Sequence, residues 1–224
     1  MKRIAVVHSP FPEKFGIPRQ SGIVEEVRSR VIFEPEYRSS EAVRGLEDFS
    51  HIWLIWEFSG TPEGKWSPTV RPPRLGGNER KGVFATRSPF RPNPIGLSCV
   101  RLDRIEYSAA SGPILHVSGA DVMDGTPVYD IKPYIPYTDC HPEAASGFAP
   151  DAGITLEVAV PDGLLKDMDP ELVDTLVKVL SRDPRPSYHN EPQREYGMCF
   201  GNFDIRFTVS DGTLTVTGVS KRRA

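Results

Sequence analysis

Residues 83–98 read VFATRSPFRPNPIGLS and hold three prolines, two arginines and an asparagine between two apolar ends. Proline fixes φ, removes a backbone donor and pushes the preceding residue into an extended conformation. Pro89, Pro92 and Pro94 therefore stiffen a loop that carries Arg87 and Arg91. A chain that only had to turn would need less constraint, so we expect this loop to hold something in place.

The segments around this loop indicate a mainly β chain. HIWLIWEF, residues 51–58, is a continuous apolar run typical of a strand buried on both faces, with Trp53 and Trp56 in the core. Residues 114–137 predict a strand, a tight Asp-Gly turn and a second extended piece. LSCVRLDRIEY, residues 97–107, alternates, and one side of this strand is expected to carry Leu97, Cys99, Arg101, Asp103 and Ile105.

The helical signals are few. SSEAVRGLEDF, residues 39–49, predicts a short helix with Ser40 as its N-cap. DPELVDTLVKVLSRDP, residues 169–184, predicts the one long helix, because Asp169 can cap it and Pro170 suits the first helical position.

A small, polar stretch at 138–153 predicts a linker and divides the chain into residues 1–145 and residues 146–224. The second part predicts a β-α-β-β unit that closes with a hairpin, its strands at 197–209 and 214–219 joined around an Asp-Gly turn. The expected fold class is mainly β, with a larger β body followed by a small α+β domain.

Composition excludes several classes of protein. The three cysteines are far apart and form no C-x-x-C pair, which predicts reduced thiols and neither a disulfide framework nor a metal site. No apolar run approaches the roughly 20 residues that span a bilayer, and no targeting segment is visible. We therefore expect a soluble, cytoplasmic protein that binds neither membrane nor metal.

Charge is unevenly distributed along the chain. The formal net charge is −3, yet residues 71–91 contain five arginines and one lysine against the single acid Glu79. A basic patch on an acidic protein indicates a localised anion site of the kind used for phosphate recognition. A solvated loop with scattered arginines is the alternative explanation.

Three loops share a rigid and polar character: residues 16–22, 84–96 and 120–134. If they converge, they could bind a zwitterion or a nucleotide, because guanidinium groups match carboxylate or phosphate oxygens and carboxylates receive ammonium groups or hydroxyls. The alternative is that these residues only form and cap turns. The polar side chains that the loops would supply are Arg19, Gln20, Arg87, Arg91, Asn93, Asp121, Asp124 and Asp130.

Several blocks of the sequence resemble one family in content and in order. They are FGIPRQSG (15–22), AVRGLEDFSHIW (42–53), RPPRLGG (71–77), KGVFATRSPFRPNPIGLS (81–98), DVMDGTPVYDIKPYIPY (121–137) and DPRPSY (183–188). The resemblance is to the TsaA-like β-barrel proteins, S-adenosylmethionine-dependent tRNA methyltransferases that methylate N6 of N6-threonylcarbamoyladenosine next to the anticodon. It covers nearly the whole chain and implies a small N-terminal β-barrel, a cofactor site formed by loops, and a homodimer.

The resemblance also implies which residues contact the cofactor. Relatives often carry a His-Gln pair after the buried strand, where this chain has Ser59 and Gly60. The implied cofactor contacts are Pro18, Arg19, Gln20, Ser59, Gly60, Arg87, Leu97, Asp121, Val122, Met123, Asp124, Gly125 and Thr126.

Methyl transfer from a sulfonium is an in-line displacement that depends mainly on positioning, and a nearby base would help the N6 proton leave. Asp124 is the candidate base. An arginine holding the threonyl carboxylate, Arg91 or Arg185, would select the modified nucleoside. The expected substrate and tRNA contacts are Arg91, Asn93, Lys132, Tyr134, Arg185 and Tyr188, with Phe90, Tyr134 and Tyr188 as possible stacking platforms for the anticodon loop.

Two other functions remain open at this point. A tRNA-binding module without catalysis would bind RNA but no cofactor. A methyltransferase for a small molecule would bind the cofactor but ignore tRNA.

Overall fold

The computed structural model of the 224-residue chain describes residues 1–61, 66–150, 153, 155–185, 191 and 194–222. Strands dominate this part of the chain. The strands and helices are β1 (Ala5–His8), β2 (Arg28–Phe33), β3 (His51–Glu57), β4 (Thr69–Val70), β5 (Lys81–Gly82), β6 (Ile95–Ser108), β7 (Gly112–Ser118), β8 (Thr126–Pro133), α1 (Pro136–Asp139), β9 (Glu157–Ala159), α2 (Pro170–Ser181), β10 (Tyr196–Phe200), β11 (Phe203–Ser210) and β12 (Thr213–Lys221).

Six antiparallel strands close into a barrel in the order β1-β2-β7-β6-β3-β8. Its interior is apolar because alternate residues of each strand point inward. In β3, Ile52, Leu54 and Trp56 are buried, whereas Trp53 is only half-buried on the outer face. The expectation of a strand buried on both faces is therefore wrong, since a barrel strand has one inner and one outer face.

The long strand β6 contains a bulge that the alternating sequence did not reveal. Val100 and Leu102 point into the barrel, and the pairing with β7 shifts register between Leu102 and Arg104. A bulge inserts one extra residue and reverses the alternation beyond it. Ile105 consequently packs against the barrel core, on the face opposite to the one predicted.

Residues 39–49 form two short 3₁₀ turns, Ser40–Val43 and Leu46–Asp48, in place of the single predicted helix. Gly45 lies between them in the left-handed region, with φ of 81°, and interrupts the helical backbone. The cap is Ser39, whose Oγ accepts a hydrogen bond from the Glu41 amide. The assignment of Ser40 as the N-cap is therefore wrong by one residue.

The C-terminal part is a four-stranded sheet in the order β10-β11-β12-β9, with α2 packed against it. The predicted long helix is confirmed: Asp169 accepts a hydrogen bond from the Glu171 amide at 2.9 Å, and Pro170 is the first helical residue. The segment predicted as one strand at 197–209 is instead two strands, β10 and β11, because the chain reverses at Gly201, where φ is 57°.

The N-terminal loop before β2 belongs to the core of the C-terminal sheet. Phe11, Val24 and Val27 are buried among the side chains of that sheet and α2. The Gly201 amide also donates to the Pro10 carbonyl, and the Cys199 amide to Glu13 Oε1 at 2.9 Å. The loop that carries Pro18, Arg19 and Gln20 is thus anchored on the C-terminal unit. The division after residue 145 stays a prediction.

Candidate functional site

A cavity of about 460 Å³ opens at the end of the barrel where β3 finishes and β6 begins. It is lined by parts of all three rigid, polar loops of the sequence, 16–22, 84–96 and 120–134, so these loops do converge. The predicted site residues that line it are Pro18, Arg19, Gln20, Ser59, Gly60, Arg87, Arg91, Leu97, Asp121, Val122, Met123 and Thr126.

Contacts between the loops fix the shape of this cavity. Arg87 donates through Nη1 to the side-chain oxygen of Gln20, which joins the proline-rich loop to the N-terminal loop. Arg19 Nη2 donates to the carbonyl of Arg185 at 3.1 Å. The cavity rim is therefore held by hydrogen bonds that run between the barrel, the N-terminal loop and the C-terminal unit.

The proline-rich loop is braced from within by Arg91. Nη1 of this guanidinium lies 2.7 Å from the Thr86 carbonyl, 3.3 Å from that of Val83 and 3.4 Å from that of Ser88. Charged donors on several carbonyls hold a loop more firmly than neutral ones do. Arg91 lines the cavity, but this nitrogen serves the loop and is not free for the RNA contact that the sequence predicted.

A buried hydrogen-bonded chain forms the cavity wall. Trp56 Nε1 donates to Ser98 Oγ at 2.9 Å, and Ser98 Oγ donates to Asp121 Oδ1 at 2.5 Å. Trp56 and Ser98 are both buried. Gly96 makes this possible, because a Cβ at that position would lie 2.3 Å from the indole ring. Trp56 and Ser98 thus hold the Asp121 carboxylate in a fixed place on the wall.

Asp121 is electrostatically unusual among the carboxylates of the cavity. Burial raises its pKa above the ordinary carboxyl value, while the Ser98 hydrogen bond and the positive charge of Arg87 act in the opposite direction. An anion kept in a partly desolvated wall favours a cationic or hydroxyl-bearing partner. The wall thus offers a carboxylate beside a guanidinium, a pair that suits a zwitterionic small molecule.

Asp124 and Gly125 do not line this cavity. The Asp124 carboxylate lies 3.1 Å from the Ser9 amide and 3.3 Å from His8 Nδ1, in a separate surface groove. The two aspartates of this loop therefore face different surfaces, Asp121 the cavity and Asp124 the groove. The geometry therefore gives no support to Asp124 as a base in the cavity.

Most of the predicted tRNA contacts also lie outside the cavity lining. Lys132 pairs with Asp130 at 3.0 Å on the barrel exterior, and the ring of Tyr134 packs against Trp53, with centroids 5.7 Å apart. Asn93 is exposed in the proline-rich loop. Tyr188 falls outside the described residues.

Arg185 is committed to a local ion pair. Its Nε and Nη2 donate to the two carboxylate oxygens of Asp183 at 2.8 and 2.9 Å. The side chain of Arg185 is only 11% exposed. The Arg185 guanidinium therefore stabilises the C-terminal unit. The backbone carbonyl of Arg185 accepts the hydrogen bond from Arg19.

The sequence interpretation missed several cavity residues, among them Lys14, Trp56, Glu57 and Thr86. It assigned Trp56 to the core only and gave Ser98 no role. A usable signal was present: Gly96 and Ser98 occupy inward positions of a barrel strand whose next inward residues are apolar. A small or polar residue at such a position indicates that something other than core packing takes place there.

Metal-ligating side chains and cysteines are scattered in the part of the chain that the structure describes. No group of three or more His, Cys, Asp or Glu side chains there could hold a metal ion. Cys99, Cys140 and Cys199 are free thiols. No helix within the described ranges is long and apolar enough to cross a membrane.

Comparison with known proteins places this fold and cavity in a family. The model of the tRNA-methyltransferase O N-terminal domain matches residues 6–140, and the model of the TrmO C-terminal domain matches residues 157–222. The chain belongs to the TrmO family. The resemblance seen in the sequence, and with it the small β-barrel that it implies, is thereby confirmed.

Individual relatives agree over almost the full length of the TrmO fold. The chain is 42% identical to the tRNA (adenine(37)-N6)-methyltransferase of Escherichia coli strain K12, covering 99% of this chain and 97% of that one. It is 42% identical to a putative S-adenosylmethionine-dependent methyltransferase of Pseudomonas aeruginosa, covering 91% and 90%. A crystal structure of TrmO from P. aeruginosa superposes with a TM-score of 0.80 at 32% identity, covering 98% and 95%.

Proposed function

We propose that this chain transfers a methyl group from S-adenosylmethionine to N6 of adenosine 37 in tRNA, with N6-threonylcarbamoyladenosine as the form that it accepts. The observation that carries the proposal is the cavity at the barrel end, with the Trp56–Ser98–Asp121 chain in its wall and Arg87 beside it. A full-length relationship to a tRNA (adenine(37)-N6)-methyltransferase supports the choice of reaction.

The residues of the cavity suit S-adenosylmethionine in size and chemistry. A volume of about 460 Å³ lies within the range of small-molecule sites. The methionine part of the molecule carries one ammonium and one carboxylate, and the cavity offers Asp121 for the first and Arg87 or Arg19 for the second. Trp56 and Leu97 supply apolar surface for the remaining atoms.

When bound, S-adenosylmethionine supplies a methyl group activated on a sulfonium. The protein's own contribution is positioning. Asp121 is fixed by Ser98, and Arg87 is fixed by Gln20. These two side chains would hold the ammonium and the carboxylate of the cofactor's methionine part at set places on the cavity wall. Holding two reactants in the correct orientation before they react removes a large part of the activation barrier of a bimolecular reaction. Asp124 is not assigned a role as the base, because its carboxylate contacts His8 and Ser9 outside the cavity.

We further propose that the C-terminal unit, residues 146–224, contacts the tRNA and that the active form is a cytoplasmic homodimer. The Arg19–Arg185 hydrogen bond supports a link between that unit and the cavity rim. A binding module without catalysis is disfavoured by a complete, charged cavity. An enzyme for a small molecule would leave the C-terminal unit without a task.

The test uses purified protein, S-adenosylmethionine and two tRNA pools, one with and one without threonylcarbamoyladenosine, and reads the nucleosides by mass spectrometry. The expected result is one added methyl group in the modified pool only. A gain in both pools would contradict the selectivity. Cofactor binding without any gain would point to another substrate, and no cofactor binding would leave the RNA-binding module.

A further inference from the structure

A large aromatic side chain stands exposed beside the cavity mouth. Phe84 is 75% exposed to solvent, in the 3₁₀ turn Val83–Ala85 that leads directly into the cavity residues Thr86 and Arg87. A Phe side chain left in water forgoes the free energy that its burial would supply. The position therefore calls for an explanation other than packing within this chain.

The ring is presented on a rigid support. The Val83 amide donates to the Pro68 carbonyl at 3.0 Å, and the Thr86 amide donates to the Val83 carbonyl at 3.1 Å. Arg91, which braces the same loop, places its guanidinium carbon 5.8 Å from the centroid of the Phe84 ring. The turn is therefore fixed beneath the ring, so a partner would not have to order the loop in order to bind it.

The surroundings of the ring are aromatic and positively charged. Phe90, on the same loop, is 44% exposed, and its carbonyl accepts the Ser67 amide next to the exposed Trp66. The segment 71–91 carries six cationic side chains against Glu79, and Glu79 is paired with Lys81. Exposed rings among cations beside a cavity have the composition of a surface for single-stranded nucleic acid, where bases stack and phosphates pair with arginine.

We propose that Phe84 is a stacking platform for an unpaired base of the anticodon loop, next to the adenosine that enters the cavity. This inference rests on the proposed function and names the surface that would hold the substrate. A second copy of the chain is the less favourable occupant. A two-fold contact apposes the same patch from both subunits, so the cations of segment 71–91 would face their own copies.

The experiment measures binding of an anticodon stem–loop RNA by fluorescence anisotropy. Phe84→Ala is expected to weaken binding about 5- to 150-fold, the loss typical of one base–aromatic stack. Phe84→Trp should restore binding, and Phe84→Leu should not, since it keeps apolar surface without a ring. Tyr107→Ala is the matched control, because Tyr107 is also exposed but lies near the far end of β6.

Three further readouts make the result specific. Cofactor affinity by calorimetry and mass by sedimentation should be the same for wild type and Phe84→Ala. The salt dependence of RNA binding should also keep its slope, because stacking releases no counterions, whereas Arg71→Gln should reduce it by about 0.7–0.9 if that arginine contacts a phosphate.

Unchanged RNA affinity in Phe84→Ala, or full affinity in Phe84→Leu, would overturn the platform. A lower mass for Phe84→Ala would overturn it in favour of a contact between two copies. Failure of the wild type to methylate either tRNA pool would instead contradict the proposed function, and it is read from a different measurement.

Discussion

Ser98→Ala is the substitution that best tests whether the cavity wall works as described. Ser98 Oγ is the acceptor for Trp56 Nε1 and the donor to Asp121. Removing that one atom breaks both bonds and leaves the backbone of β6 untouched. The change therefore isolates the chain of hydrogen bonds from the shape of the barrel.

The two lost bonds have different consequences. Trp56 is buried, so its indole N–H is left without a partner, which costs about 1–3 kcal/mol of the free energy of unfolding. Asp121 faces the cavity, where water can replace the lost donor. Loss of the Ser98 hydrogen bond is therefore expected mainly to raise the pKa of Asp121 further. Stability and titration thus report on the two bonds separately.

The direction of the pH effect follows from the raised pKa of Asp121. The folded chain binds this proton more tightly than the unfolded chain does, so the free energy of unfolding falls as pH rises from the ordinary carboxyl pKa through the raised one. In Ser98→Ala the fall should extend to higher pH. The affinity for S-adenosylmethionine should rise with pH as Asp121 ionises, because an ionised Asp121 is needed to hold the ammonium. In Ser98→Ala this rise should occur at higher pH than in the wild type.

The assay is urea unfolding and cofactor calorimetry across a pH series, with Ser29→Ala as the matched control. Ser29 is a buried barrel serine whose Oγ has no hydrogen-bond partner among the described residues, so its removal should cost almost nothing. Equal losses for the two variants would refute the hydrogen-bonded chain. An unshifted pH dependence of cofactor binding in Ser98→Ala would refute the role given to Asp121.

Three further substitutions test the remaining assignments. Gly96→Ala should cost about 1–3 kcal/mol in urea unfolding, because its Cβ meets the Trp56 ring, whereas Gly82→Ala, in open space, should be neutral; equal stabilities would contradict the close approach. Arg87→Ala should fold normally and weaken cofactor binding roughly 10- to 150-fold by calorimetry, and an unchanged affinity would remove Arg87 from the site. Asp124→Asn should retain methyl transfer within a few-fold in the nucleoside assay; loss of turnover with cofactor binding intact would restore Asp124 as the base.

Features set by near neighbours in the chain could be predicted from the sequence. The start of α2 follows from an Asp-Pro pair, and the closing hairpin from Asp211 and Gly212, which both take positive φ as a tight hairpin turn requires. The family could be identified because whole blocks of residues were present in order. These signals lie in neighbouring residues or in the order of whole blocks along the chain, so they can be recognised without knowledge of the fold.

What the sequence determined by itself was the fold class, the family and the presence of three rigid, polar loops; that the loops meet is seen only in the structure. Which aspartate faces the cavity was decided only in three dimensions, since Asp121 and Asp124 lie in one loop yet line different surfaces. The link from Trp56 through Ser98 to Asp121 joins residues 42 and 23 positions apart. The pairing of β3 with β6 and of β6 with β7 brings such residues together. Strand pairing and one-sided burial fix directions that side-chain types alone do not encode.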